Sequence, residues 1–220
     1  MKKLVNALMV SLIFLSNSCM ANIIALDTGH TTKQTGATSA TGINEYYYNL
    51  NMANTIHQLL YSAGVTVNRV PTNQPNIKLT ERAKMFPKSN LFVSIHHDSI
   101  PNSLRKYQDQ ISGFSIFVSS KNPQYQHSLA CASHVAANLR SIGEHPSNFH
   151  SMDIPGERKK LLDQNGVYQY DNLVVLKSSA APALLIEIGV ITNSYEANRL
   201  RNPQVIDRIA KTIAYSISTC

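Results

Sequence analysis

Residues 90–99 read NLFVSIHHDS. The apolar run predicts a buried strand over 90–96, and it delivers two histidines and an aspartate to the end of that strand. A metal site, a catalytic site and a polar strand end without chemistry all fit the stretch alone. Consecutive strand side chains point to opposite faces. His96 and His97 therefore cannot both join one metal while the strand stays regular, and the partners must come from elsewhere in the chain.

Strand and helix patterns alternate on both sides of this stretch. Before it, NIIALD (22–27) and VTVNRV (65–70) read as strands, and 43–64 as a helix with an apolar stripe closed by Gly64. KLTERAKMF (78–86) reads as a short helix ended by Pro87. After it, GFSIFVSS (113–120), NLVVLK (172–177) and PALLIEIG (182–189) read as strands. Residues 123–143, 194–201 and 203–217 read as helices. Apolar strands with intervening helices predict a single α/β domain, with a mostly parallel or mixed twisted sheet and helices on both faces. Residues 144–171 hold Pro146, Pro155, Gly156 and Gly166 and show no clear element. A segment of that length is expected to be functional or mobile.

The chain divides into a leader and a body. Lys2 and Lys3, the apolar LVNALMVSLIFL and the small residues of Cys19-Met20-Ala21 predict a secretory signal over 1–21, with the mature domain at 22–220. The protein is then exported, to the periplasm or cell envelope. A lipoprotein anchored through Cys19 is the competing reading, although Ser16-Asn17-Ser18 fits the usual lipidation pattern poorly. No later run is long enough to span a bilayer, so an integral membrane protein is not expected. The net charge of +7 is spread along the chain. Without a basic tract carrying aromatic residues, no nucleic-acid partner is expected. A basic surface suits an anionic envelope, though solubility explains it as well. Cys131 and Cys220 do not have metal-site or CxxC spacing. Export allows a disulfide between them; two free thiols are the alternative.

Polar residues recur at the predicted strand ends. His30 follows the first strand, His96 ends the third and Glu187 ends the strand at 182–188. In open α/β sheets the ligand crevice lies beyond the carboxyl ends of the strands. Glu45, in the first turn of the helix at 43–64, approaches the same edge. Two histidines and a carboxylate suit a hydrolytic Zn²⁺ with a position left for water, and a further carboxylate would take that water's proton. Each residue also has an ordinary reading. Glu45 can complement the helix dipole, and either histidine can be a satisfied turn or strand-end residue. Glu187, between Leu184, Leu185, Ile186 and Ile188, is harder to explain as core.

These motifs resemble the zinc-dependent N-acetylmuramoyl-L-alanine amidases of the amidase-3 type, which cut peptidoglycan. IIALDTGH resembles that family's opening strand and first zinc histidine, matched by His30. GINEYYYNL resembles the helix start with its zinc glutamate, matched by Glu45. LTERAKM resembles a leucine-x-x-arginine segment, and LFVSIH the strand with the second zinc histidine, His96. PALLIEIGVITN resembles the last strand with catalytic Glu187, followed by Gly189 and Asn193. The resemblance implies a peptidoglycan substrate, cut at the amide between N-acetylmuramoyl and L-Ala. It makes His97 and Asn193 candidates for substrate contact; the alternative for His97 is packing on the other face of the strand. Thr28, Thr31, His97 and Asp98 depart from the family pattern, which bears on substrate preference and not on the metal. Asp98 could orient a ligand histidine or form a turn. Some such enzymes are held inactive by a helix over the zinc. Residues 144–171 fall in the corresponding place with Glu144, Asp153 and Glu157 as candidate occluding carboxylates; a lid or surface excursion is the alternative. A protein activator stays open as a partner. The rival functions are a stem-peptide carboxypeptidase and a non-catalytic envelope-binding protein.

Overall fold

Strand β1 (Ile23–Thr28) sets the two faces of the sheet. Ile24 and Leu26 enter the larger core, and Ala25 enters a second core on the opposite side. The structure is a computed structural model describing residues 22–74, 76–154, 157 and 159–220. The leader expected over 1–21 lies outside the described residues.

The remaining strands are β2 (Thr66–Arg69), β3 (Leu91–Asp98), β4 (Ser115–Val118), β5 (Lys160–Asp163), β6 (Val167–Gln169) and β7 (Ala183–Val190). They form one seven-stranded sheet in the order β2-β1-β3-β7-β4-β6-β5. The first four in that order run parallel. β4 is antiparallel to β7 and parallel to β6, and β5 returns antiparallel to β6. The domain is thus α/β with a mixed sheet, as the pattern predicts.

Helix α1 (Glu45–Ser62) covers the first face with Tyr48, Met52, Ile56 and Leu60, one residue per turn. It is joined there by α3 (Tyr125–Ser141) and α6 (Pro203–Ser218), whose Ile206, Ile209, Ile213 and Ile217 are buried. Each such side chain contributes about 1.5–3 kcal/mol by burial. α2 (Leu79–Lys84) and α4 (Val174–Ser178) cover the second face through Ala83, Val175 and Leu176. The short helix α5 (Ser194–Arg199) follows β7.

α1 leads from β1 to its neighbour β2 on one face, whereas α2 leads back across to β3 on the other. The connections leaving β1 and β3 therefore head toward opposite edges of the sheet, and the crevice beyond their carboxyl ends is the place for a ligand.

Two expectations are corrected. Residues 172–177 are not a strand: Val174–Ser178 is helical. A short apolar run does not distinguish a strand from one buried turn of helix, and here Val175 and Leu176 are buried in the core with Leu173 packed against it. Residues 144–171 are not without structure. Residues 160–169 form the β5–β6 hairpin, which widens the sheet.

Cys131 of α3 and Cys220 form a disulfide, with Cα atoms 5.3 Å apart. It fastens the end of α6 to its neighbour.

Candidate metal centre and catalytic carboxylate

His30, Glu45 and His96 meet at the β1–β3 crevice. Each offers one ligand atom, and the three atoms lie within 4.8 Å of one another. His30 Nε2 is 2.8 Å from Glu45 Oε2, and His96 Nδ1 is 3.0 Å from Glu45 Oε1. The two imidazoles sit edge to face with centroids 5.1 Å apart. Burial raises the pKa of Glu45, but hydrogen bonds and charge from both histidines outweigh it and hold the carboxyl ionised far below its usual range.

The backbone around this cluster is shaped to it. Among the described residues, His30 is the one non-glycine residue with positive φ, at 68°. A Cβ at Gly29 would fall 2.5 Å from the His96 ring. A Cβ at Gly36, whose φ is +74°, would fall 2.5 Å from Glu45 Oε2 and 2.7 Å from the His30 ring. Two imidazoles and an ionised carboxylate, with glycines clearing the space around them, fit a divalent transition metal.

A layer behind the cluster fixes Glu45. Asn49, one turn along α1, donates through Nδ2 to Glu45 Oε1 at 3.1 Å and to the Gly29 carbonyl at 3.2 Å. Its Oδ1 accepts from His97 Nδ1 at 2.8 Å, and the His97 backbone N–H donates to Glu45 Oε1. His97 is 2 % exposed. Its burial lowers its pKa to about 3, so the ring is neutral. His97 thus packs beneath the site against Tyr48. On the second face, Arg82 of α2 donates to Asp27 Oδ1 at 2.9 and 2.7 Å, and Ser94 donates to Oδ2 at 2.7 Å, which braces β1 and β3 just before His30 and His96.

Glu187 lies opposite His96 in the β3–β7 register and opposite Ser115 in the β4–β7 register. It is half-buried. Its Oε2 is a buried oxygen without a hydrogen-bond partner, as is Ser115 Oγ. Burial first, then the charges of Asp98 and Glu45, raises its pKa well above the carboxylate range. An orphaned carboxylate beside a metal-competent cluster is what proton transfer requires.

The other candidates are placed elsewhere. Asn193 caps α5: its Oδ1 accepts from the N–H groups of Tyr195 and Glu196, and its Nδ2 donates to the Ile111 carbonyl. These bonds give Asn193 a structural role at the start of α5. Glu144 is buried and paired with Arg199 and Arg208 of α5 and α6. Asp153 is exposed. Glu157 lies 2.8 Å from His150 Nδ1 and also pairs with Lys159. None of the three carboxylates belongs to the His30–Glu45–His96 cluster.

Asp98 orients neither ligand histidine. Its Oδ1 accepts from the Ser99 N–H, and its Oδ2 lies 2.6 Å from His150 Nε2. His150 is buried, which lowers its pKa, yet Asp98 and Glu157 outweigh burial and push it up to about 9. Sequence reasoning missed Asn49 and His150. For Asn49 a signal existed, a polar residue four positions after Glu45 on the buried stripe.

The profile of the N-acetylmuramoyl-L-alanine amidase family matches residues 24–219. The chain belongs to that family. It is 25% identical over 188 residues to the "Probable cell wall amidase LytH" of Staphylococcus aureus, covering 84% of this chain. It spans about half of that relative's length, 54%. The fold superposes on the N-acetylmuramyl-L-alanine amidase Ami1 of Mycobacterium smegmatis with a TM-score of 0.73 at 20% identity, over 90% of this chain and 95% of that one. It also matches the amidase CwlD of Clostridioides difficile, solved in complex with the GerS lipoprotein, with a TM-score of 0.66 at 21% identity over 90% and 97% of the two chains. No helix among the described residues of this amidase-family chain is long and apolar enough to cross a membrane.

Proposed function

We propose that the protein hydrolyses the amide between the N-acetylmuramoyl lactyl group and L-Ala in peptidoglycan, with Zn²⁺ held by His30, Glu45 and His96. The convergence of these three residues beside an unpartnered Glu187 carries the reading. A bound zinc ion supplies Lewis acidity, polarising a carbonyl oxygen and acidifying water. Glu187 takes a proton from the attacking water as its oxygen bonds to the lactyl carbonyl carbon. It returns that proton to the nitrogen of L-Ala as the C–N bond breaks. Its raised pKa favours its holding the proton between the two steps. Asn49 and His97 hold Glu45 in place throughout.

The same reading includes export to the envelope through the leader at 1–21. It also includes a protein activator; the CwlD relative is solved in complex with a second protein, the GerS lipoprotein.

Metal content and muropeptide release by the purified protein test the proposal, beside Glu187→Ala and His96→Ala. The wild type is expected to carry about one zinc ion per chain and to release intact stem peptides with a free L-Ala amine. Glu187→Ala keeps zinc and loses roughly 10²–10⁴-fold in rate; His96→Ala loses zinc. Peptides shortened from their carboxyl end instead would identify a stem-peptide carboxypeptidase. Zinc without release in the absence of other proteins would point to the activator.

A further inference from the structure

Residues Asn102–Gln110, between β3 and β4, wind as a 3₁₀ helix of sequence NSLRKYQDQ. With three residues per turn, side chains three apart stack on one face. The three faces of this segment meet three surroundings. Leu104, Tyr107 and Gln110 line an apolar cleft against Phe149 and Met152. Asp109 accepts from the Ser194 N–H at 2.9 Å and ties the segment to α5. Asn102, Arg105 and Gln108 line a second, polar cleft of about 600 Å³.

The other walls of the polar cleft are residues 37–40, 99–101, 192 and 194. These follow β1, β3 and β7, the strands whose ends carry His30, His96 and Glu187. Ala37 in that wall donates its N–H to Glu45 Oε2 at 3.3 Å, so the cleft begins one residue from the ligand cluster. Its charge is one-sided: Arg105 is the one ionisable side chain lining it. Among the described residues nothing pairs with the side chains of Asn102, Arg105 or Gln108. Arg69, Arg82, Arg199 and Arg208, by contrast, are all bonded within the chain.

Successive donors of this ladder stand about 6 Å apart along the 3₁₀ axis. Alternate residues of an extended peptide repeat at about 6.6 Å. An amide, a guanidinium and an amide therefore match an extended peptide that carries a carboxylate at its middle contact. We propose that Asn102, Arg105 and Gln108 form a subsite for an acidic peptide, the stem peptide beyond the scissile amide, with Arg105 pairing a free carboxylate and the two amides bonding the peptide backbone. This rests on the amidase reading and adds the side of the site on which the peptide lies.

The test is calorimetric titration of the full chain carrying Glu187→Gln, which blocks turnover. The probes are two N-acetylmuramoyl peptides that differ only in a free or amidated peptide carboxylate. The free acid binds about tenfold more tightly. Arg105→Met removes that difference at unchanged Tm, and Arg105→Lys keeps part of it. Asn102→Ala and Gln108→Ala weaken both probes alike, by about threefold. Discrimination that survives in Arg105→Met, no discrimination in the parent chain, or no binding of either probe overturns the subsite. Inorganic phosphate binding as tightly as the free acid also overturns it, assigning the cleft to a polyanion. Wild-type hydrolysis is scored separately: probe peptides shortened from their carboxyl end sink the amidase reading, while the titration still judges the cleft.

Discussion

Gly36 keeps open the space that Glu45 and His30 occupy in the candidate metal cluster. With φ at +74°, and Glu45 and His30 both within 2.7 Å of where a Cβ would stand, the position has room for neither a side chain nor a right-handed backbone. Gly36→Ala is expected to leave the helices intact by circular dichroism and to weaken metal binding at least about tenfold, as displacing ligand supports does; unchanged affinity in a chelator titration would show that the cluster tolerates the displacement. His30, Glu45 and His96 were legible in the sequence because one topological rule places strand ends together. Gly36 and His150 were not, because their partners are fixed by folding and not by spacing; Asn49, one turn after Glu45, offered a helical spacing that was passed over. His97 and Asn193 are bonded within the fold, His97 to the Asn49 amide and Asn193 to the first N–H groups of α5, and neither partner could be read from the sequence.

Among elements, the long strands and helices announce themselves by period, whereas the segment between α3 and α4 does not. β5 and β6 are four and three residues long. They are held by pairing with each other and with β4, a nonlocal cause that no local pattern records. The preceding loop is anchored by His150, whose ring lies edge-on to Phe117 and Tyr168 and bridges Asp98 to Glu157. The sign of the pH dependence follows from its raised pKa. Protonated His150 contributes stability that is complete below about pH 6.5, its unfolded value, and is lost as pH rises through about 9. Between those limits the wild type should lose about 3 kcal/mol more than His150→Gln in urea melts. Parallel losses in the two proteins would show that the bridge is carried by neutral hydrogen bonds.

For the whole molecule, the α/β class and the two covered faces followed from apolar strands alternating with helices, but the direction of β4 and the closure at the C-terminus did not. α6 packs between α1 and α3 on the larger core, and the Cys131–Cys220 bond joins residues 89 apart in sequence. A cross-link of that span restricts the unfolded chain strongly, in the chain-entropy view. Cys131 is buried in α3, while Cys220 lies beyond the last turn of α6. Replacing Cys220 by Ser therefore removes the link with little change to the core. Cys220→Ser should cost about 2–4 kcal/mol and lower Tm by roughly 10 °C. Metal content at 25 °C should be unaffected, because the bond lies at the opposite end of the strands from His30 and His96: Cys131 and Cys220 share a cleft with Asn22 and Asn90, which precede β1 and β3. A loss of metal in parallel with Tm would mean that the two ends of the sheet are coupled and that the disulfide supports the site as well as the fold.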